Sequence, residues 1–270
     1  MEPLYIALIC IGCALFLLLI AAFVLFSNNC ITRSDYVIES VKAPEKSVKI
    51  VHLSDLHGKR FGKGNARLVA RVKACEPDFI AITGDIIHKY RERDIEVASE
   101  AVEKLLKIAP VYYVSGNHEM RSRRYRELSA KLKEAGATML DDKRVTAFGI
   151  NISGVNCARI KSGKFYDLTD GEGFDLLLTH LPHYIDKYAM AGYDLTLCGH
   201  AHGGQWRIPF TDIGFYSPGQ GLFPKYTSGV HTCGNMRQVI SRGLGNSQCP
   251  LRLFNRPEIV TVTIRRPQEK

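Results

Sequence analysis

The chain has 270 residues, 46% of them hydrophobic and 23% charged, a balance that excludes a disordered or low-complexity protein and suits one sizeable core with an appendage. Its formal net charge of +9 is compatible with work beside anionic lipid or on a phosphorylated substrate. The eight cysteines are scattered, and Cys10 and Cys13 lie inside an apolar run, which fits a reducing compartment better than a disulfide framework.

No residue from Leu4 to Phe26 is charged, and a helix of that length crosses roughly 30 Å of hydrocarbon. No basic segment opens this run and no small-residue cleavage site closes it, so residues 1–26 are expected to be an uncleaved transmembrane anchor rather than a signal peptide. Only Glu2 precedes the run, whereas Arg33, Lys42 and Lys46 follow it. Because Lys and Arg are retained on the cytoplasmic side, the rest of the chain is expected inside the cell at the membrane. Residues 27–46 mix Asn, Ser, Asp, Glu and Lys with Pro44 and read as a juxtamembrane linker with a short strand over 36–41. The globular domain is expected from 47 to 270.

From there apolar runs alternate with helical patterns: strand over 48–53, helix over 65–74, strand over 79–83, helix over 94–108, strand over 111–115, helix over 125–135. Such alternation implies βαβ units and a buried, partly parallel sheet. The second half carries short β-rich pieces at 145–148, 150–155, 176–179, 195–198, 236–241 and 259–264, with one helical stretch over 182–191. A second sheet packed on the first is expected.

Asp55, His57, Asp85, Asn117 and His118 each fall shortly past the end of a strand candidate. His180 directly follows the run 174–179, and Gly199-His200-Ala201-His202-Gly203-Gly204 directly follows 195–198. The carboxyl ends of strands in α/β sheets form the crevice where ligands bind. A single histidine such as His52 or His88 reads as a core or capped residue. Five strand ends that all present ligand-type side chains do not, because a structural protein gains little from desolvating them together.

Carboxylate, imidazole and amide oxygen form a mixed ligand set that suits Mn²⁺, Fe²⁺ or Zn²⁺. The set Asp55, His57, Asp85, Asn117, His180, His200 and His202 exceeds what one zinc needs, so two divalent transition-metal ions are expected, Mn²⁺ first among them, with Asp85 as the candidate bridge.

Asp55-Leu56-His57, Gly84-Asp85, Gly116-Asn117-His118-Glu119, His180 and Gly199-His200-Ala201-His202 stand in this order between residues 48 and 204. Together they resemble the signature of the calcineurin-like metallophosphoesterases. That resemblance implies an α/β fold, a four-layer α/β/β/α sandwich of two mixed sheets. It further implies one metal on Asp55, His57 and His202, a second on Asn117, His180 and His200, and Asp85 between them. Two such cations, roughly 3.5–4 Å apart, activate a bridging water, so that metal-bound hydroxide attacks in line. His118, not needed as a ligand beside Asn117, is expected to be catalytic, stabilising developing charge or protonating the leaving oxygen.

Two basic clusters follow metal loops: Lys59, Arg60, Lys63 and Arg67 after His57, and Arg121, Arg123, Arg124 and Arg126 after Glu119. Both are expected near the rim of the site, with Arg121, Arg123 and Arg124 as candidate phosphate contacts. Ser241-Arg242-Gly243-Leu244-Gly245, followed by Pro250, Arg252 and Arg256-Pro257-Glu258, resembles the membrane-associated bacterial YkuE-, YaeI- and LpxG-like branch of the superfamily, and Arg242 joins the substrate candidates. This resemblance implies a phosphodiesterase and, for LpxG-like members, hydrolysis of the pyrophosphate of UDP-2,3-diacylglucosamine.

The expectation is therefore a membrane-anchored hydrolase of a phosphodiester or pyrophosphate bond, acting on a phosphorylated and lipid-linked substrate, with no obligate protein partner. A general phosphodiesterase or phosphatase, a nuclease, and a non-catalytic scaffold are the alternatives. No aromatic platform for stacked bases is evident, which argues against nucleic acid, and the unbroken ligand blocks argue against a scaffold.

Overall fold

The computed structural model describes residues 2–88, 91, 93–162, 168–169, 171–246 and 249–268. Helix α1 (Glu2–Asn29) is followed by β1 (Thr32–Glu39), β2 (Val48–Leu53), α2 (Ala66–Lys73), β3 (Phe79–Ile82), α3 (Asp94–Leu106), β4 (Val111–Tyr113), α4 (Asn117–Arg121), α5 (Tyr125–Glu134) and β5 (Thr138–Met139). The second half runs β6 (Lys143–Ala147), β7 (Ile150–Gly154), α6 (Cys157–Lys161), β8 (Asp175–Leu178), α7 (Ile185–Met190), β9 (Leu195–Cys198), β10 (Tyr216–Ser217), β11 (Gly221–Leu222), β12 (Gly229–Cys233), β13 (Met236–Ile240) and β14 (Glu258–Arg265).

Two six-stranded sheets form, ordered β1-β14-β2-β3-β4-β5 and β12-β13-β9-β8-β7-β6. In the first, β2 to β5 are parallel while β14 runs antiparallel to β2. In the second, β13, β9, β8 and β7 are parallel, and β12 and β6 are antiparallel at the edges. Both sheets are thus mixed, and the carboxyl ends of their central strands can share one face of the molecule.

Side-chain alternation divides the core into three seams. Val51, Leu53, Ile80, Ile82 and Tyr113 pack on helices α2, α3 and α5 through Leu68, Val102, Leu105 and Leu128. Their strand neighbours Ile50, Phe79, Ala81 and Tyr112 face the second sheet and meet Ile152, Leu176, Leu178, Leu195 and Leu197. The far side of that sheet, with Leu177, Cys198 and Ile240, is covered by Ile160, Ile185 and Tyr188. Strands buried on both faces read as continuous apolar runs, which is why they are legible in the sequence. The layers stack as α/β/β/α, the expected sandwich.

The stretch 27–46, expected to be a linker, contributes a strand: β1 pairs with β14 over all eight residues, Thr32 with Glu258 through Glu39 with Arg265. Ile38 is the one buried residue of β1 and Tyr36 packs partly buried on the same core, so the apolar stretch 36–38 announces only the second half of the strand, and main-chain pairing with β14 holds the polar first half. The sheet begins before the boundary anticipated at residue 47, and β1 starts four residues earlier than the strand expected over 36–41.

Helix α1 is long and apolar enough to cross a membrane; its 28 residues span about 42 Å at 1.5 Å per residue. Its last turn is anchored in the domain. The Asn28 amide group donates to the Val24 carbonyl at 2.8 Å, and its oxygen accepts from the Arg252 backbone N–H and the Asn246 amide, both at 3.0 Å. The Lys59 ammonium donates to the Asn28 carbonyl.

Candidate metal centre

The loops that leave β2, β3 and β4 in one sheet and β8 and β9 in the other meet at one edge of the sandwich. Each must reverse within a few residues to aim side chains back over the sheet ends. Asp55, His57, Asp85, His200 and His202 do so with φ between 48° and 68°, a left-handed conformation that costs roughly 1–2 kcal/mol per non-glycine residue. Glycine solves the closest approach: a Cβ on Gly84, at φ +86°, would lie 2.2 Å from the Gly116 nitrogen.

Three overlapping groups result: Asp55, His57 and His202; His57, Asp85 and His118; and Asp85, His180 and His200. His57 Nε2 lies 3.2 Å from His202 Nε2, and His202 Nε2 lies 3.3 Å from Asp55 Oδ1. His180 Nε2 lies 3.1 Å from Asp85 Oδ2 and 3.1 Å from His200 Nδ1. All seven expected ligands are buried, and Asn117, Asp85, His200 and His202 line a cleft of about 400 Å³ together with His118.

The donor atoms fit divalent cations. His180 Nδ1–H donates to the Thr83 carbonyl at 2.6 Å, so Nε2 aims its lone pair at the Asp85 carboxylate, an arrangement that a proton or cation between them must stabilise. Asp55 Oδ1 and Asn117 Oδ1 are buried without a hydrogen-bond partner among the described residues, as orphaned acceptors awaiting a Lewis acid would be. Their companions are secured: Asp55 Oδ2 accepts from the His200 N–H at 3.0 Å and Asp85 Oδ1 from the His118 N–H at 2.7 Å.

Burial holds His57, His200 and His202 below the ordinary histidine range, His202 at about 3. Neutral imidazole is the form that coordinates metal. Burial also lowers His180, but Asp85 and Asp55 outweigh it and raise that residue to about 9. Thr83 also receives His52, whose Nε2 lies 2.8 Å from the threonine Oγ1 inside the sandwich; His52 is a core residue. His88 instead lies against His118, with ring centroids 4.8 Å apart.

The basic clusters divide. Arg121 lines the cleft. Arg123 is exposed and outside the cleft wall, Arg124 forms two 2.8 Å hydrogen bonds to Glu127, and Arg242 is held by Glu258 at 2.9–3.0 Å. In place of the rim expected after His57, Lys59 reaches the end of α1 and Arg60 lies 3.8 Å from Glu100. Lys161, His183, Tyr184, Pro218 and Gly219 complete the cleft and carry no strand-end signal. A larger hollow of about 830 Å³ between α3 and α5 contains none of these residues.

Two residues that the sequence offers only as parts of motif blocks take supporting roles. Glu119 accepts from the backbone N–H groups of Asp85, Gly116 and Ile87 at 2.7, 2.9 and 3.1 Å, clamping two ligand loops together. Arg252, fully buried, donates to the carbonyls of Gly245 and Arg242 at 2.5 and 2.9 Å and sits 3.4 Å from His202 Nδ1.

Two mixed sheets with a paired carboxylate–imidazole centre at their shared edge define a metal-dependent phosphoric ester hydrolase. Residues 48–204 match the family model described as calcineurin-like phosphoesterase, and the chain belongs to that family. It is 32% identical to the metallophosphoesterase YkoQ of Bacillus subtilis, over 79% of this chain and 82% of that one. It is 28% identical to the phosphodiesterase YaeI of Escherichia coli, covering 80% and 82%, and 27% identical to the metallophosphoesterase YkuE of Bacillus subtilis, covering 87% and 86%.

Proposed function

We propose that the chain is a membrane-anchored, dinuclear-metal phosphodiesterase that cleaves a phosphodiester or pyrophosphate bond of a lipid-linked substrate such as UDP-2,3-diacylglucosamine. The observation that carries this reading is the convergence of seven buried ligand-type side chains, from five strand ends of two sheets, on one centre, four of them lining one cleft. In this proposal Asp55, His57 and His202 form one ligand set, Asn117, His180 and His200 the other, and Asp85 is shared. Mn²⁺ is proposed first, and the mixed imidazole and oxygen donor set accommodates Fe²⁺ and Zn²⁺ as well. Bound divalent cations supply Lewis-acid stabilisation of the phosphoryl charge and a water acidic enough to attack at neutral pH.

The chain's own residues do the rest. His118, on the cleft wall, donates to the leaving oxygen. Arg121 and Lys161 on that wall hold non-reacting phosphate oxygens. The relative YaeI, named a phosphodiesterase, supports the diester class. Helix α1 supports anchorage, and Arg33, Lys42 and Lys46 beyond it support a cytoplasmic catalytic domain.

The test is a panel assay of the full chain in detergent, with metal analysis, on UDP-2,3-diacylglucosamine, phospholipids, bis-p-nitrophenyl phosphate and single-stranded DNA. Mn²⁺-dependent hydrolysis of the generic diester and of an amphiphilic substrate, with DNA left intact, is expected. Inactivity with Mn²⁺, Fe²⁺, Zn²⁺ and Mg²⁺ alike would sink the two-metal assignment, and preferential DNA cleavage would redirect it to a nuclease.

A further inference from the structure

Between His202 and β12 the chain makes a long excursion that the metal centre does not use. Residues 205–224 contain one basic and one acidic side chain, Arg207 and Asp212, and these neutralise each other at 2.7 Å. Apolar surface dominates what is left: Ile208, Phe210, Phe215 and Phe223 are 49%, 108%, 45% and 62% exposed. Phe254, on the neighbouring 251–254 segment, is 51% exposed. Singly exposed apolar residues need no explanation, but a contiguous patch marks a contact surface.

The stacked aromatic part of this surface is contiguous, and Ile208 and Phe210 stand on the turn that the Arg207–Gly214 bridge closes beside it. The Trp206 and Phe215 rings stack with centroids 5.8 Å apart, and Phe215 meets Phe223 at 5.7 Å. Trp206 pairs in a β-bridge with Leu253 and donates its indole N–H to the Leu251 carbonyl at 3.2 Å. Next along, Phe254 contacts the Phe23 ring of α1 at 4.9 Å. Phe23 lies three residues, about 4.5 Å along the axis, inside the apolar run that ends at Phe26. At the end of that run, one turn further on, the Arg256 guanidinium sits 4.6 Å above the Phe26 ring. Aromatic rings with a cation just beyond them are the pattern of a membrane–water boundary.

We infer that this apolar apron, centred on Trp206, Phe210, Phe215 and Phe223, lies in the bilayer interface as a second membrane contact beside α1. The occupant is lipid, because the patch continues into the face of α1 at the depth where the hydrocarbon begins. The inference rests on the proposed role of α1 as an anchor. It deepens the proposed function, since Pro218 and Gly219 of the same excursion line the cleft. The apron places the cleft mouth at the lipid surface, where the phosphate of an amphiphile can enter while its acyl chains stay in the bilayer.

Trp206 is the single tryptophan of the chain, so its emission reports on the apron alone. The full chain is reconstituted in phosphatidylcholine–phosphatidylglycerol vesicles whose acyl chains carry bromine near the headgroup end, and vesicle flotation after alkaline carbonate washing is scored in parallel. For an aromatic side chain seated in the interface, brominated lipid should quench Trp206 emission relative to the same vesicles without bromine. A Phe210→Asp/Phe223→Asp variant should still float but lose most of that quenching. Protein that floats while Trp206 stays unquenched overturns the apron and leaves the anchor standing. The apron is overturned equally if Trp206 is shielded instead by a second copy, seen as a concentration-dependent cross-linked dimer. Protein that fails to float removes the anchor and this inference with it.

Discussion

At the scale of single residues, the centre combines backbone strain with orphaned acceptors. Five of its seven proposed ligands have positive φ, a conformation that short polar side chains tolerate better than branched ones and that persists only where surrounding contacts over-determine it. His118 differs in kind: its backbone N–H secures Asp85 while its ring faces the cleft. A His118→Asn variant should therefore retain its metal content and lose about 10²–10⁴ in kcat on substrates with alkoxide leaving groups. The loss should be far smaller with a p-nitrophenolate leaving group, which needs no proton. Equal losses on both substrates, or metal lost with the ring, would reject a proton-donor role.

At the scale of elements, the connection from β13 to β14 ties the end of α1 to the ligand loops, and Arg252 is its centre. The backbone N–H of Arg252 holds Asn28, and its guanidinium satisfies the Gly245 and Arg242 carbonyls beside His202. Burial lowers Arg252 to about 10, so it stays charged at neutral pH. Removing the group strands several buried carbonyls. Arg252→Met should cost about 2–4 kcal/mol of unfolding free energy, read from denaturant melts of the full chain in detergent, with Arg252→Lys intermediate. A Met variant as stable as the parent would show that water satisfies those carbonyls.

At the scale of the whole molecule, the site is the seam between two sheets. Asp55, His57, Asp85 and Asn117 come from one sheet and His180, His200 and His202 from the other, so cations bound there cross-link the sandwich. Backbone contacts already begin this, as in the His200 N–H to Asp55 and His180 to Thr83 hydrogen bonds. Chelation should lower the melting temperature and Mn²⁺ should restore it. At a free-ion concentration about 100-fold above Kd the stabilisation is about 2.7 kcal/mol, or roughly 5–10 °C for a domain this size. Asp85→Asn should abolish most of that shift, and a shift unchanged by this substitution would place the metal elsewhere.

The order of strands and the ligand-type residues at their carboxyl ends could be read from the sequence alone, because each is local. An apolar run buried on both faces, then within a few residues an aspartate, asparagine or histidine, preceded at three of the five ends by a glycine, is visible within ten residues, and its repetition implies convergence. The family resemblance rested on the same local blocks. Tertiary structure alone decided what depends on partners far along the chain. The polar first half of β1, Thr32 to Asp35, is a strand because β14 lies beside it more than 200 residues later. Glu119 and Arg252 matter through backbone groups that come near only once both sheets are closed, and ion pairs with Glu127 and Glu258 draw Arg124 and Arg242 away from the cleft. The aromatic residues between Trp206 and Phe223 follow no strand or helix period that would mark them in the sequence as one surface. Its continuity with α1 emerged only when folding set Phe254 against Phe23, because a surface patch is assembled from segments that sequence proximity does not connect.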